Sequence, residues 1–505
     1  SGKTTTCQRI LLQSHLPFLV IEPAKTEYRI LKHKESCKDL LVFTLGNDQV
    51  APFRLNPFEL QPKETIDAHV DMIKASMEAA FEMQAAEPQL IEAALYRCYE
   101  RKGWDVNLTI NGKYKDPYAP GCPSFPTISD LLVEVENVVA EQGFDDRLRD
   151  EYNGSIRAML QSLTLGAKGA MLNTPRSVDM ASLLDKKVVL ELENIRSGNE
   201  KALIMGFILS AFNEAIRERF AKEGKEHAHI MLVEEAHRLL SRWQPGDGLN
   251  KKMGVETFSD MLAEIRKYGE SLVIVDQIPN KMAPDVLKNT NTKIIHRIFA
   301  QDDKEAVGNT MALDNDQKRF LSSLLIGQAV VFSEGYEKAV LVKIKNESDT
   351  SEQPLADMEL TQAVIAYYRQ EQEKGRFTFL PFPKKILKVD GEILAKAVQF
   401  AIGKIPARMQ KYWTCRHANK NSGYHAAYAK LWKQMHALGL WSSEEVAEWM
   451  LDTYGKSCPD SRRAAVKDGL VAFFTAYLKD ENEALDDFGK MGADCYSVVN
   501  QDICL

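Results

Sequence analysis

Two adjacent carboxylates, Glu234 and Glu235, end a short apolar run, Ile230 to Val233, within the stretch Ala228 to Leu240. Four apolar residues between polar neighbours predict a central parallel strand with helices on both faces, since such strands are apolar throughout and do not alternate. Open α/β sheets bind ligands at the carboxyl ends of their strands, where these acids would lie. Nucleotide hydrolysis is the chemistry that needs both, one acid on the Mg²⁺ side and one to activate water. Taken alone, the run fits a buried strand with a chance acidic end equally well. The start of the chain separates the two readings. Ser1-Gly2-Lys3-Thr4-Thr5 reads as the tail of a phosphate-binding loop, G-x-x-x-x-G-K-[ST], opening into a helical run that ends near Gln13. Gly2 lets backbone N–H groups approach phosphates, Lys3 neutralises β/γ-phosphate charge, and the Thr4 hydroxyl is suited to Mg²⁺. The motif's first glycine and the strand before it are not in the sequence, which opens without Met as a piece of a longer protein would. A chain starting at Ser1 is therefore expected to hold ATP weakly.

The elements that must position these residues follow from periodicity. Phe18 to Glu22 and Leu41 to Leu45 predict strands in β-α-β alternation. From Thr65 to about Arg101 the spacing is helical, and two further helical stretches cover roughly 128–142 and 154–165. Between them, 103–126 is rich in Pro, Gly and Tyr, with an Asn111-Gly112 turn that would close a small hairpin. Val188 to Leu192 resumes the sheet, followed by a helix over about 200–222 and then the acidic strand. A polar loop over Ser241 to Gly254, carrying Arg242, Lys251 and Lys252, leads to an amphipathic helix ending at Ile265 to Gly269. Ser271 to Gln277 predicts another strand ending in polar groups, and Asn291 to Phe299 repeats the spacing. Gln328 to Phe332 and Ala339 to Ile344 predict a closing antiparallel pair. The expected organisation is an ATPase core over 1–60 and 181–345, a mostly helical insertion over 61–180, a linker and helix over 346–375, and a helical C-terminal domain over 376–505.

With 505 residues, 45% hydrophobic and 27% charged, the chain has the composition of soluble globular protein with several domains. Its net charge of -7 means that any nucleic-acid contact must come from a local basic surface. One such stretch, Lys384 to Lys433, carries eleven Lys/Arg against two acids, interleaved with Tyr412, Trp413, Tyr424, Tyr428 and Trp432. A solvated helix face with core aromatics explains it better than a nucleic-acid surface does. The eight cysteines show no paired metal-ligand spacing, and Cys415 with His417 has no second pair. No apolar run approaches the length of a membrane span and no signal peptide opens the chain, so no stable membrane insertion and a cytoplasmic location are expected.

In chain order, Gly2-Lys3-Thr4, Ile21-Glu22-Pro23 to Glu27-Tyr28, Leu55-Asn56-Pro57-Phe58, Val233-Glu234-Glu235-Ala236-His237, Arg266-Lys267-Tyr268-Gly269, Val275-Asp276-Gln277 and Asn291 to Arg297 resemble the motif set of the HerA/FtsK superfamily. More narrowly the chain looks like a HerA-type ATPase, with the type IV secretion ATPases as relatives. The resemblance covers about residues 1–344, most of the insertion excepted. It implies an α/β fold, a P-loop NTPase (RecA-like) sheet flanked by helices, with the helical insertion and the α-helical C-terminal domain added. It also implies a homo-hexameric ring that moves along double-stranded DNA, with ATP and Mg²⁺ bound between subunits. A nuclease or other effector protein is the expected partner, in DNA processing or anti-phage defence. Carried over by position, Ser1 to Thr5 cradle phosphate, and Thr4 and Glu234 serve the Mg²⁺. Glu235 polarises the attacking water and Gln277 senses the γ-phosphate. Arg266 resembles the arginine finger that reaches a neighbour's site, with Arg297 a second candidate. Without the resemblance, Arg266 reads as a helix-end cation favoured by the dipole. Arg242, Lys251 and Lys252 are the candidates for a DNA-facing pore loop.

This sequence departs from the pattern in places. Glu234 stands where Asp is common and is expected to reach the metal through water. Asp276 replaces a small hydroxylic residue, and the barrel domain expected at the N-terminus of HerA proteins is missing. Two other functions fit the same motifs: a secretion-type motor acting on proteins, and a nucleotide-stabilised ring scaffold that docks an effector.

Overall fold

The computed structural model describes residues 2–84, 86–333, 335–345, 355, 357–377 and five isolated positions beyond them. Ser1, the expected linker 346–354, and nearly all of the expected C-terminal domain, including the basic stretch 384–433, lie outside the described residues. The chain divides into two compact units, Ser1–Val364 and Ile365–Leu505.

In the first unit, Gly2 adopts a left-handed backbone (φ 100°) that a side chain would strain, and launches helix α1 (Lys3–Ser14). Strands β1 (Phe18–Glu22) and β2 (Leu41–Thr44) follow, buried at every residue. The chain continues with α2 (Ile66–Ala80), α3 (Glu87–Arg101), a hairpin of β3 (Trp104–Asp105) and β4 (Ile110–Asn111), then α4 (Ile128–Glu141), α5 (Asp146–Ser162), α6 (Gly166–Leu172) and α7 (Met180–Leu183). Side-chain caps start several of these helices: Thr65 accepts from the Ala68 amide, Asp145 from Leu148, and Thr127 forms a reciprocal box with Asp130.

Next come β5 (Lys187–Glu191), the 26-residue α8 (Gly198–Glu223), β6 (His229–Glu234), α9 (Leu249–Glu264) and β7 (Glu270–Val275). α8 starts on the Ser197 cap and stops at left-handed Gly224. The unit closes with α10 (Pro284–Asn289), β8 (Lys293–Ile295), α11 (Gln301–Thr310), α12 (Asn315–Phe320), β9 (Gln328–Phe332) and β10 (Val340–Lys343). α13 (Asp357–Glu373) runs across the division between the units. In the second unit, Tyr368 packs edge-on against Phe377 with ring centroids 5.1 Å apart.

Strands β2-β5-β1-β6-β7 form one five-stranded sheet in that order, and every pairing is parallel. Continuous apolar strands produce this because helices cover both faces. Register aligns Ile21 with Val233 and Glu234 with Val275, so the carboxyl ends of β1, β6 and β7 come together. β8, β9 and β10 form a separate antiparallel sheet. α2 packs along both α8 and α9. At Gly254 of α9 an added Cβ would lie 2.7 Å from the Ala75 carbonyl oxygen and the Ala79 nitrogen. Among the described residues no helix is long and apolar enough to cross a membrane.

Three sequence expectations need correction. The hairpin over 104–111 turns at 106–109, not at Asn111-Gly112: Asp105 Oδ1 accepts from the Asn107 and Leu108 amides, and Thr109 takes the left-handed conformation (φ 54°). Asn111 instead organises the next turn, accepting from the Lys113 and Tyr114 amides. The loop after β6 ends at Gly248, which places Lys251 and Lys252 in the first turn of α9. The strand expected over 291–299 is confined to β8 and pairs antiparallel with β9, outside the parallel sheet.

Candidate active site

At the start of α1, the first backbone N–H groups have no partner within the helix and are oriented to receive an anion. Lys3 Nζ donates to the Asp276 carbonyl, 2.9 Å away at the end of β7, and the Thr4 hydroxyl donates to Glu27 Oε2 at 2.6 Å. Burial lowers the pKa of Lys3. One turn further, Thr6 Oγ1 lies 2.9 Å from His296 Nε2, which ties α1 to the chain just past β8.

The turn after β1 reaches into the same region. Glu22, fully buried, accepts from the Glu27 amide at 2.6 Å and the Tyr28 amide at 3.4 Å. Burial pushes its carboxyl up to about 8. Held this way, Glu27 meets Thr4, and the Tyr28 hydroxyl donates to Glu234 Oε1 at 2.7 Å. Burial raises the pKa of Glu234, and the phenol bond opposes the rise. For Glu27, burial would raise the pKa, but the hydrogen bonds from Thr4 and Lys25 bring it below the usual carboxylate range.

Glu234 is the last residue of β6, and the chain then turns sharply: Glu235 sits in the left-handed region (φ 51°, ψ 40°), which is uncommon for a residue with a side chain. Gln277 Nε2, from the loop after β7, donates to Glu235 Oε1 at 2.8 Å. Arg238 and His237 approach Glu235 Oε2 to 3.7 and 4.0 Å. The result is a cleft of about 1030 Å³ lined at one end by Lys3, Thr4, Glu27, Glu234, Glu235 and Gln277. Thr4, Glu27 and Glu234 offer only oxygen donors, the set that a hard cation such as Mg²⁺ takes.

Lys3, Thr4, Glu234, Glu235 and Gln277 thus converge. Arg266 does not join them. It is exposed in the 3₁₀ turn before β7, at the amino end of the sheet. The six residues of β7 separate it from the cleft by roughly 20 Å, at about 3.3 Å per residue. Arg297 follows His296 but stacks over the exposed Phe299 ring at 5.2 Å, and it does not line the cleft. Arg242 donates to Asn280 Oδ1 at 2.7 Å, while Lys251 and Lys252 lie 3.6 Å from Asp247 and Glu256 respectively. Sequence reading gave no role to Glu27, Tyr28, His237 or the Asp276 side chain. A usable signal was present at Asp276, which directly follows the apolar β7 at the sheet edge where ligands bind, whereas Glu27 and Tyr28 come five and six residues after the end of β1.

A parallel sheet presenting a Gly-Lys-Thr helix start and two strand-end acids defines a P-loop nucleotide-binding core. No family model matches the chain. It is similar to the probable DNA double-strand break repair helicase HerA of Methanocaldococcus jannaschii, 33% identical over 117 residues, covering 23% of this chain and 22% of that protein. It is also similar to the DNA double-strand break repair helicase HerA of Pyrococcus furiosus, 28% identical over 185 residues, covering 31% of this chain and 32% of that one. The chain therefore spans under a third of the length of these relatives. In fold it matches VirB4 of Thermoanaerobacter pseudethanolicus with a TM-score of 0.52 and 17% identity, over 69% of this chain and 87% of that one. In sequence the chain is thus similar to HerA-type helicases, and in fold it is a P-loop NTPase core.

Proposed function

We propose that this chain is the ATP-hydrolysing part of a homo-hexameric motor that translocates double-stranded DNA and works with a nuclease or other effector in DNA processing or anti-phage defence. The observation that carries the reading is the convergence of Lys3, Thr4, Glu234, Glu235 and Gln277 at one sheet edge. The Lys3 ammonium, leaving the Asp276 carbonyl, serves the β/γ-phosphates, and the Thr4 hydroxyl turns from Glu27 to the metal side. Mg²⁺, when bound, neutralises charge on the phosphate oxygens. Glu234, oriented by Tyr28, supports the metal's water shell. Glu235 accepts the proton of the attacking water, and the amide of Gln277 holds that carboxylate in place. Arg266 lies too far from the cleft of its own chain, which supports its serving a neighbour's. The cationic side chains at 242, 251 and 252 are the proposed DNA contacts; they must exchange their present acidic or amide partners for phosphates.

ATP turnover by the full-length protein, with and without duplex DNA, tests the proposal. Stimulation by DNA and its loss in Glu235→Gln are expected. Turnover indifferent both to DNA and to that substitution would overturn it.

A further inference from the structure

Asp276 stands where the family resemblance leads one to expect a small hydroxyl, and its carboxylate is almost completely buried, with 2% of the side chain exposed. One oxygen, Oδ2, accepts from the His237 amide at 2.9 Å and lies 2.8 Å from His237 Nδ1; the other, Oδ1, accepts from the Ile278 amide at 2.8 Å. Burial would raise the pKa of this group, but these hydrogen bonds bring it below its ordinary value, so it is ionised and His237 Nδ1 is the donor. A serine or threonine hydroxyl has a single oxygen in place of these two.

We propose that Asp276 is a positioning residue: its carboxylate straps the loop after β6 to the loop after β7 and thereby fixes where Glu235 points. This rests on the reading of Glu235 as the residue that activates water. Glu235 lies between β6 and His237 and has a left-handed backbone, a conformation that strains an L-residue and persists only when its surroundings enforce it. Asp276 enforces it by holding both the amide and the ring of His237, two residues further on. Gln277, the next residue along the strap, then takes Glu235 Oε1 at 2.8 Å, so one short segment fixes both the backbone and the side chain of the acid. The carbonyl of Asp276 meanwhile accepts from Lys3 Nζ at 2.9 Å. The phosphate-loop lysine and the water-activating acid are therefore held by the same residue, which links what happens at the phosphates to the aim of Glu235.

The test uses the full-length protein and its Asp276→Ala, Asp276→Asn, His237→Ala and Asp276→Ala/His237→Ala variants. Because misplacing a catalytic group by about 1 Å costs on the order of 10²-fold, Asp276→Ala should lower kcat by about that factor while KM for ATP stays within about twofold. Asp276→Asn, which keeps one acceptor oxygen, should recover part of the loss. The double variant should be no slower than the worse single one, since both break one strap. Amide exchange at His237 and Ile278 should speed up in Asp276→Ala by more than at amides away from the strap. Wild-type kcat in Asp276→Ala, or a rise in KM that matches the loss of kcat, would overturn the proposal. If the wild type hydrolysed no ATP, the proposed function would fall; the exchange rates would still decide the strap, with unchanged His237 exchange counting against it.

Discussion

Glu234 and Glu235 are adjacent, yet their surroundings differ, as the proposed division of work requires. Glu234 still belongs to β6, is nearly buried and receives the Tyr28 hydroxyl. Glu235 has left the strand and receives the Gln277 amide. Replacing Glu235 by Gln should therefore lower kcat by about 10²-fold or more while ATP binding persists, as expected for a group that acts mainly in the transition state. An equal loss of ATP binding would contradict that role. Tyr28→Phe removes one hydrogen bond to a carboxylate, about 1.5 kcal/mol or roughly tenfold. The proposed role of Glu234 predicts that the loss is read as a higher Mg²⁺ concentration for half-maximal turnover; an unchanged Mg²⁺ requirement would detach Tyr28 from the metal side. Glu22 makes a prediction in pH. Its carboxyl rises from an ordinary 4.5 to about 8 through burial, so the folded state keeps a proton that the unfolded chain releases across that interval. Its contribution to stability is full below 4.5 and is lost as pH rises to about 8. Glu22→Gln keeps an acceptor for the Glu27 amide without titrating. Between about pH 6 and pH 8.5 its Tm should fall less than that of the wild type, and equal slopes would refute the assignment.

At the scale of elements, packing decides what sequence pattern could and could not convey. The parallel strands were legible because residues such as Phe18 to Ile21 and Ile230 to Val233 are apolar without interruption, which only a doubly covered sheet requires. That Lys3 and Thr4 meet Glu234 and Glu235 at one cleft was legible because residue type flags groups that could share one chemistry. What escaped depended on contacts distant in sequence. Asp105 captured the hairpin turn that Asn111-Gly112 seemed suited to form, and nothing in the spacing of 291–299 revealed that only three residues would find a partner strand in β9. Tyr28 meets Glu234 across 206 positions of sequence, a contact that no local pattern encodes. The α2–α9 crossing offers a test at this scale. Gly→Ala inside a helix ordinarily gains up to about 1 kcal/mol, and Gly154 of α5, with nothing within 4 Å of an added Cβ, should show that gain. At Gly254 the same methyl group would press on α2 backbone atoms that cannot rotate away, an overpacking cost of about 1–3 kcal/mol that outweighs the gain. Thermal unfolding should thus move up for Gly154→Ala and down for Gly254→Ala. A matching rise in both would mean that α2 is not seated on α9 as described.

For the whole molecule, the separation between Arg266 and the cleft matters most. The cleft lies at the carboxyl ends of β1, β6 and β7, while Arg266 precedes the first residue of β7 and is exposed at the sheet's other end. A guanidinium that must reach phosphate across this span cannot serve its own chain. It can serve another, in a ring whose subunits contact head to tail, each lending one surface and receiving the opposite one. Arg266→Ala and Glu235→Gln would then disable different halves of the same composite site, one donated and the other resident. Each variant alone should assemble, bind ATP and turn over poorly. Mixed in equal amounts and allowed to exchange subunits, about one interface in four should pair an intact Glu235 with an intact Arg266 from the neighbour, so basal hydrolysis should return to a comparable fraction of the wild-type rate. Recovery should depend on subunit exchange and vanish when the rings are crosslinked before mixing. If exchanged mixtures stay as inactive as their parents, Arg266 acts elsewhere, as a helix-end cation at the protein surface.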